Sequence, residues 1–377
     1  MDFSLTEEQQ LLKDSVDRFV REHYEFETRR QLAGSSEGYS EDNWKQMAEL
    51  GWLGVAFPEE YGGIGGGATE IMVIMEGFGR GLVLEPYFAT VVLGGNLILH
   101  GGSESQKEEL LPKLAEGGLK LAFAFAERQA RFDLFDIETK AEKSGDGFTI
   151  NGAKAVVFGA AAADKIIVAA RTSGNSRDTD GITLFLVDSD AAGITRRDYT
   201  TNDALRASEI AFDGVQVGAD AVLGTVDGGY ATIERVAELA VAALCAEAVG
   251  CMDVLKEETN EYIKTRKQFG QPIGKFQVLQ HRMVDILINC EEARSMAYVA
   301  TAMMDSDDAE ERARSVAAAK AQIGKSARFV GQNSVQMHGG MGMTDELKIG
   351  HYFKRLTMID LTFGDRDHHT KRFAAMT

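Results

Sequence analysis

The chain has 377 residues, with 40 Lys and Arg against 58 Asp and Glu, and a formal net charge of −18. That length exceeds the roughly 100–200 residues usual for one domain, so two or three are expected. So acidic a surface argues against nucleic acid or an anionic membrane as main partner, since both require a basic surface.

In chain order, the first region (1–118) reads as an N-terminal helical domain. Thr6 and Gln9 form a capping-box pair ahead of Leu11, Leu12, Val16, Phe19 and Val20, which recur at helical spacing. Ser40–Leu50, Ala68–Gly79 and Ser103–Leu114 are further helical stretches. Gly51–Gly67, with Pro58 and seven glycines, is a loop.

The second region (119–223) changes period. Leu119–Ala126, Gly147–Asn151, Lys165–Thr172, Ile182–Val187 and Glu209–Val217 are short apolar or alternating runs. Turn pairs such as Asn151-Gly152 and Asp213-Gly214 separate them, which predicts a middle antiparallel β-barrel or sandwich. The third region (224–377) returns to helix over Ala231–Thr265, Gln277–Met304, Glu310–Met337 and Leu347–Leu361. Long apolar faces with few breakers predict a C-terminal antiparallel helix bundle, so the fold class is α+β.

Met1-Asp2-Phe3 opens an acidic, polar segment, and no stretch reaches the ~18 apolar residues of a membrane span. The expectation is a cytoplasmic protein without membrane contact. Cys245, Cys251 and Cys290 lack CxxC spacing and sit among apolar residues, so they read as reduced buried thiols.

Two segments carry recognisable chemistry. Arg266-Lys267-Gln268-Phe269-Gly270-Gln271-Pro272-Ile273, followed by Phe276-Gln277, places an Arg at a helix end where its guanidinium grips a phosphate. Gln336-Met337-His338-Gly339-Gly340-Met341-Gly342 offers backbone N–H groups that an anion can approach closely. Together with Gly51–Val55 and Pro58–Gly63, and in this order, these segments resemble the signatures of the acyl-CoA dehydrogenase family.

That resemblance implies FAD as cofactor and an acyl-CoA thioester as substrate. It also implies a cofactor lodged between subunits and electrons passed to an electron-transfer flavoprotein. It places Arg266, Gln268, Phe269, Phe276, Gln277, Gln336, Gly339 and Gly340 on the pyrophosphate and adenosine, with Asp365 and Asp367 as further cofactor contacts.

The chain departs from the family where the chemistry happens. The family's L-T-E-P-x-A-G-S-D segment reads Phe125-Ala126-Glu127-Arg128-Gln129-Ala130-Arg131-Phe132-Asp133, and its K-x-W-I-T segment reads Lys154-Ala155-Val156-Val157-Phe158. The catalytic carboxylate's usual position is Phe363, and its alternative, 26 residues before Arg266, is Ala240. Removing the α-proton of a thioester requires a base, and neither position holds an acid. Glu247, two helical turns beyond Ala240, is a weak substitute candidate.

His368-His369 suggests a metal, but adjacent helical histidines diverge and no third ligand is in sequence reach, so none is expected. The leading expectation is the subunit lacking the base in an α2β2 acyl-CoA dehydrogenase, paired with a paralogous subunit. The alternatives are a homo-oligomer that uses Glu247 and a non-catalytic scaffold.

Overall fold

A computed structural model describes residues 4–376. In chain order the α-helices are α1 (Glu7–His23), α2 (Phe26–Ala33), α3 (Glu41–Glu49), α4 (Ala68–Gly81), α5 (Asn96–Gly101), α6 (Glu104–Ala115), α7 (Gly229–Thr265), α8 (Gln277–Met303), α9 (Ala309–His338), α10 (Lys348–Leu361) and α11 (Arg366–Ala375). The strands are β1 (Leu121–Ala124), β2 (Lys140–Ser144), β3 (Gly147–Phe158), β4 (Lys165–Arg171), β5 (Ile182–Asp188), β6 (Ile194–Thr200), β7 (Arg206–Val217), β8 (Val222–Leu223), β9 (Lys267–Gln268) and β10 (Gln271–Pro272). They form two compact units, each built from separated segments: residues 1–31, 68–83 and 241–377, and residues 32–67 and 84–240.

The first unit is all helical apart from the β9–β10 hairpin. The capping box at Thr6 forms: its hydroxyl accepts from Gln9 N at 3.2 Å, and the Gln9 side chain accepts from Thr6 N at 3.0 Å. α8 and α9 run antiparallel, since Arg282 early in α8 reaches Asn333 late in α9, while Ser326 meets Asn289. α4 approaches α7 closely because Gly79 and Gly250 lack side chains. A Cβ on either would lie 2.0 Å from the backbone oxygen of Glu247 or Glu76. α7 is buried at every residue from Val241 to Leu255, which fits its nearly uniform apolar composition.

The second unit holds the sheet, whose strand path is β6-β7-β3-β2-β4-β5-β8. Most of its pairs are antiparallel, as expected, with two parallel exceptions along one edge of β4. β1 pairs with β4 in parallel from Leu121↔Lys165 to Ala124↔Val168, and β2 meets the end of the same edge, also parallel, at Lys140↔Arg171. Turn residues predict antiparallel pairing only between consecutive strands; β1 and β4 are not consecutive, so their pairing lies outside that logic. No β6–β8 pairing closes the sheet among the described residues. Its core packs Phe148, Ile150, Val157, Ile166, Val168, Phe185, Ile210 and Phe212 together.

The same unit contains a π-helical stretch, Phe88–Gly95, outside the stretches whose spacing predicts a helix. Gly94 and Gly95 explain its tight seat, because a Cβ on them would fall 2.5 Å from Leu121 and 2.4 Å from Phe57. Thr90 fastens the stretch to β1, exchanging hydrogen bonds with Leu121 O at 3.2 Å and Leu121 N at 3.1 Å.

Candidate active site

Arg266 follows the last residue of α7 and leads directly into the β9–β10 hairpin. The connecting pair, Phe269 and Gly270, has φ of 56° and 79°, both left-handed, as a two-residue hairpin turn of this hand requires. Glycine adopts that conformation at little cost, but a bulky aromatic residue there is strained. Phe269 is also 91% exposed, with its ring edge-on to Phe276 at 6.1 Å. Arg266 is exposed, and its guanidinium has no hydrogen bond or ion pair among the described residues.

The second motif comes to the same end of the bundle. Tyr262, one turn before Arg266, lays its ring on His338 with centroids 4.3 Å apart, and its hydroxyl donates to His338 O at 3.4 Å. α9 ends there, and Gly339 takes φ 60° and ψ −142°, a region nearly restricted to glycine. A Cβ on Gly339 or Gly340 would meet nothing within 4 Å, so this backbone opens onto unfilled space. Gln268, Gln277 and Gln336 are exposed around it. An unpaired guanidinium beside an open glycine backbone is the donor set a pyrophosphate needs, so these residues fit the phosphate half of FAD.

Phe363, Asp365 and Asp367 lie elsewhere on the molecule. The turn between α10 and α11 touches α9 at Lys320, eighteen residues of helix from His338, or about 27 Å by helical rise. Within one chain, Asp365 and Asp367 therefore lie far from Arg266, separated by much of the length of α9. Asp365 caps α11 by accepting from His368 N at 2.8 Å, and Asp367 pairs with Arg366. Phe363 itself is left-handed, at φ 57°. His369 donates from Nε2 to Phe363 O and stands edge-on to His368, with ring centroids 5.2 Å apart.

The altered segments of the sheet unit keep an organised backbone. Lys154 is fully buried and donates to Glu127 at 2.6 Å and to Phe125 O at 3.2 Å. Glu127 also accepts from Glu138 N, Thr139 N and the Gln129 side chain. Burial pushes the Lys154 ammonium down to about 8 against the pull of Glu127. Burial raises the Glu127 carboxyl, but Lys154 and the hydrogen bonds outweigh it and hold the group below its ordinary value.

Val156 sits in a bulge where the β3–β7 register shifts between Lys154 and Val157. Its φ is 52°, as is that of Arg131, whose guanidinium lies over the Phe132 ring. A β-branched residue at positive φ is a genuine outlier. Both segments thus carry a strained backbone, at positions where the resemblance implies a Trp, a glycine and hydroxyls that this chain lacks. Val156 is 38% exposed and Phe158 half-buried at these positions.

Ala240 is fully buried. Glu247 is buried as well, and both its oxygens are bound by Arg355: Nε to Oε1 at 2.6 Å and Nη2 to Oε2 at 2.6 Å. Arg355 was not singled out from the sequence, because nothing in the local pattern links it to Glu247.

Three family models match in chain order: the acyl-CoA dehydrogenase N-terminal domain over residues 6–118, the middle domain over 122–215 and the C-terminal domain over 227–376. The chain belongs to the acyl-CoA dehydrogenase family. This acyl-CoA dehydrogenase homologue is 30% identical to the probable acyl-CoA dehydrogenase YngJ of Bacillus subtilis over 369 residues, 97% of this chain and 96% of that protein. Among solved structures it resembles the Tcur3481-Tcur3483 steroid ACAD (TM-score 0.88, 28% identity, 98% of this chain and 97% of that one). It also resembles the FAD complex of PigA (TM-score 0.91, 25% identity, 100% and 98%). The family is one of FAD-binding oxidoreductases. Among the described residues of this member, no helix is long and apolar enough to cross a membrane.

Proposed function

We propose that this chain is the half of an α2β2 acyl-CoA dehydrogenase that grips the FAD pyrophosphate and adenosine for its partner and lacks the catalytic base. The observation that carries this reading is the contrast between two sets of residues. Arg266, Phe269, Gly339 and Gly340 keep an exposed phosphate cradle, whereas both carboxylate positions, Phe363 and Ala240, hold no acid.

FAD, when bound, supplies a two-electron acceptor for the oxidation of an acyl-CoA thioester to its trans-2-enoyl form. On this reading Arg266 neutralises the pyrophosphate, the Gly339-Gly340 backbone accommodates it, and Phe269 leaves water for an apolar or stacking contact. The α-proton is removed by a carboxylate of the paralogous subunit, and electrons leave to an electron-transfer flavoprotein.

Two further observations support a partner. The exposed side chains of α8 include Val278, Val284, Leu287 and Ile288, an apolar surface that a solitary chain would leave wet. The similar steroid ACAD is named for two chains. A homo-oligomer that uses Glu247 as base is disfavoured because Arg355 already binds both carboxylate oxygens. A cofactor-free scaffold is disfavoured because it has no use for a strained, exposed Phe269.

The test is co-expression with the paralogous subunit, followed by native mass and FAD content. An α2β2 assembly with one FAD per pair, alongside an isolated chain holding substoichiometric flavin, is expected. A homo-oligomer with one tight FAD per chain overturns the reading.

A further inference from the structure

The turn that carries Phe363 is held by two buried side chains that neither the motifs nor the proposed chemistry employ. Lys320, on α9 and fully buried, donates from Nζ to Asp360 O at 2.8 Å and to Gly364 O at 2.6 Å. His369, on α11 and 1% exposed, bonds Phe363 O through Nε2 at 2.9 Å. Three carbonyls of a five-residue segment are thus drawn inward onto two donors.

Each component is unfavourable in isolation. Lys320 has no carboxylate within ion-pair distance among the described residues; backbone oxygens bind its buried ammonium directly, and the charges of Asp360 and Asp365 act on it only from farther away. His369 must carry its proton on Nε2 to donate to a carbonyl, which leaves Nδ1 as an acceptor, and Nδ1 is buried with no partner. Phe363 is left-handed at 57° and Gly364 stands at 108°. A Cβ on Gly364 would lie 2.6 Å from the His368 ring and 2.9 Å from the His369 ring, so only glycine passes beneath them. A turn with no task would relax by losing any one of these features. Their convergence on one segment indicates that its shape matters.

We propose that Lys320 and His369 are positioning residues that lock residues 360–365, so that the Phe363 ring is presented as a fixed element where relatives present their carboxylate. The inference rests on the assignment of residue 363 to the base position, but its test needs neither FAD nor a partner. Failure of the subunit reading therefore leaves the test intact.

The experiment is amide hydrogen exchange across residues 358–370 of the full chain, comparing wild type with Lys320→Met, His369→Leu and His369→Gln. Steady-state anisotropy of Phe363→Trp is read in the same backgrounds. Trp44 and Trp52 are both buried, so a third indole at the turn is distinguishable from them. Losing either donor is expected to speed exchange in the turn at least tenfold and to lower the anisotropy, with exchange in α7 unchanged. His369→Gln, which keeps an N–H for Phe363 O, is expected to stay within twofold of wild type. Unchanged exchange in both Lys320→Met and His369→Leu overturns the proposal. Equal disruption by His369→Gln and His369→Leu also overturns it, by showing that ring packing and not the hydrogen bond matters. Global unfolding of His369→Leu overturns the local role in favour of a general one.

Discussion

Glu247 of α7 and Arg355 of α10 form a buried two-point ion pair, with both N···O distances at 2.6 Å. The pair converts the carboxylate that looked available in the sequence into a structural brace inside the helical unit. Glu247→Ala strands the guanidinium of Arg355 away from water and is expected to cost about 3–5 kcal/mol. Replacing both partners with apolar residues of similar volume should recover most of that loss. Urea unfolding of the two single variants and the double variant tests this. A Glu247→Ala change below about 1 kcal/mol would show that the pair is solvated and that Glu247 is available after all.

The phosphate cradle predicts the effects of two substitutions at and beside the β9–β10 hairpin. Arg266→Ala loses a charge-assisted contact to phosphate, so FAD affinity in the assembled enzyme should fall ten- to a hundredfold, about 1.5–3 kcal/mol. Phe269→Gly should raise the stability of the isolated chain slightly, because glycine accepts the left-handed turn without strain, yet weaken assembly or flavin retention. Flavin released on gel filtration and the thermal midpoint of the isolated chain are the two measurements. Full retention of flavin by Arg266→Ala would count against the cradle.

Restoring an acid should not restore an enzyme in this chain alone. General-base catalysis supplies about 10²–10⁴-fold, so Phe363→Glu or Ala240→Glu would give measurable turnover if only the carboxylate were missing. The sheet unit argues otherwise, since the resemblance puts Val156 and Phe158 at positions that would seat the flavin ring. Neither variant is expected to reduce dye with short, long or steroidal thioesters, whereas the unmodified chain with its partner is expected to be active. Rescue by Phe363→Glu alone would show that the flavin half of the pocket is intact.

His369 gives a dependence on acid with a defined sign. Burial, and then the charge of Lys320, push its imidazole down to about 3, from an ordinary value of 6.5. The unfolded chain takes up a proton near pH 6.5 and the folded chain does not, so the stability this group contributes is fully present above pH 6.5. It is lost as pH falls toward 3, at up to about 1.4 kcal/mol per pH unit. His369→Gln cannot take up that proton. Its stability should therefore fall less steeply between pH 6.5 and 4 than that of wild type, while the two remain similar at pH 7.5. Parallel curves in urea titrations across this range would rule out a buried neutral imidazole.

Much of this molecule is legible in one dimension. Helical spacing, the Thr6 capping box and the turn pairs of the middle region mark the helical–β–helical order, because these signals act within a few residues. The identities at the motif positions, including the missing acids at Phe363 and Ala240, are equally local. Tertiary structure decided what depends on distant partners. β4 takes β1 and β2 as parallel neighbours, which turn chemistry does not encode. Glu247 meets a residue 108 positions away, so its availability as a base is decided by α10 and not by its own helix. The length of α9 separates the Arg266 cradle from the Phe363 turn within one chain, a distance that no local motif encodes. The left-handed backbones at Val156, Phe269 and Phe363 are invisible to propensity, which disfavours them; at Phe363 the buried donors Lys320 and His369 hold the turn in that shape.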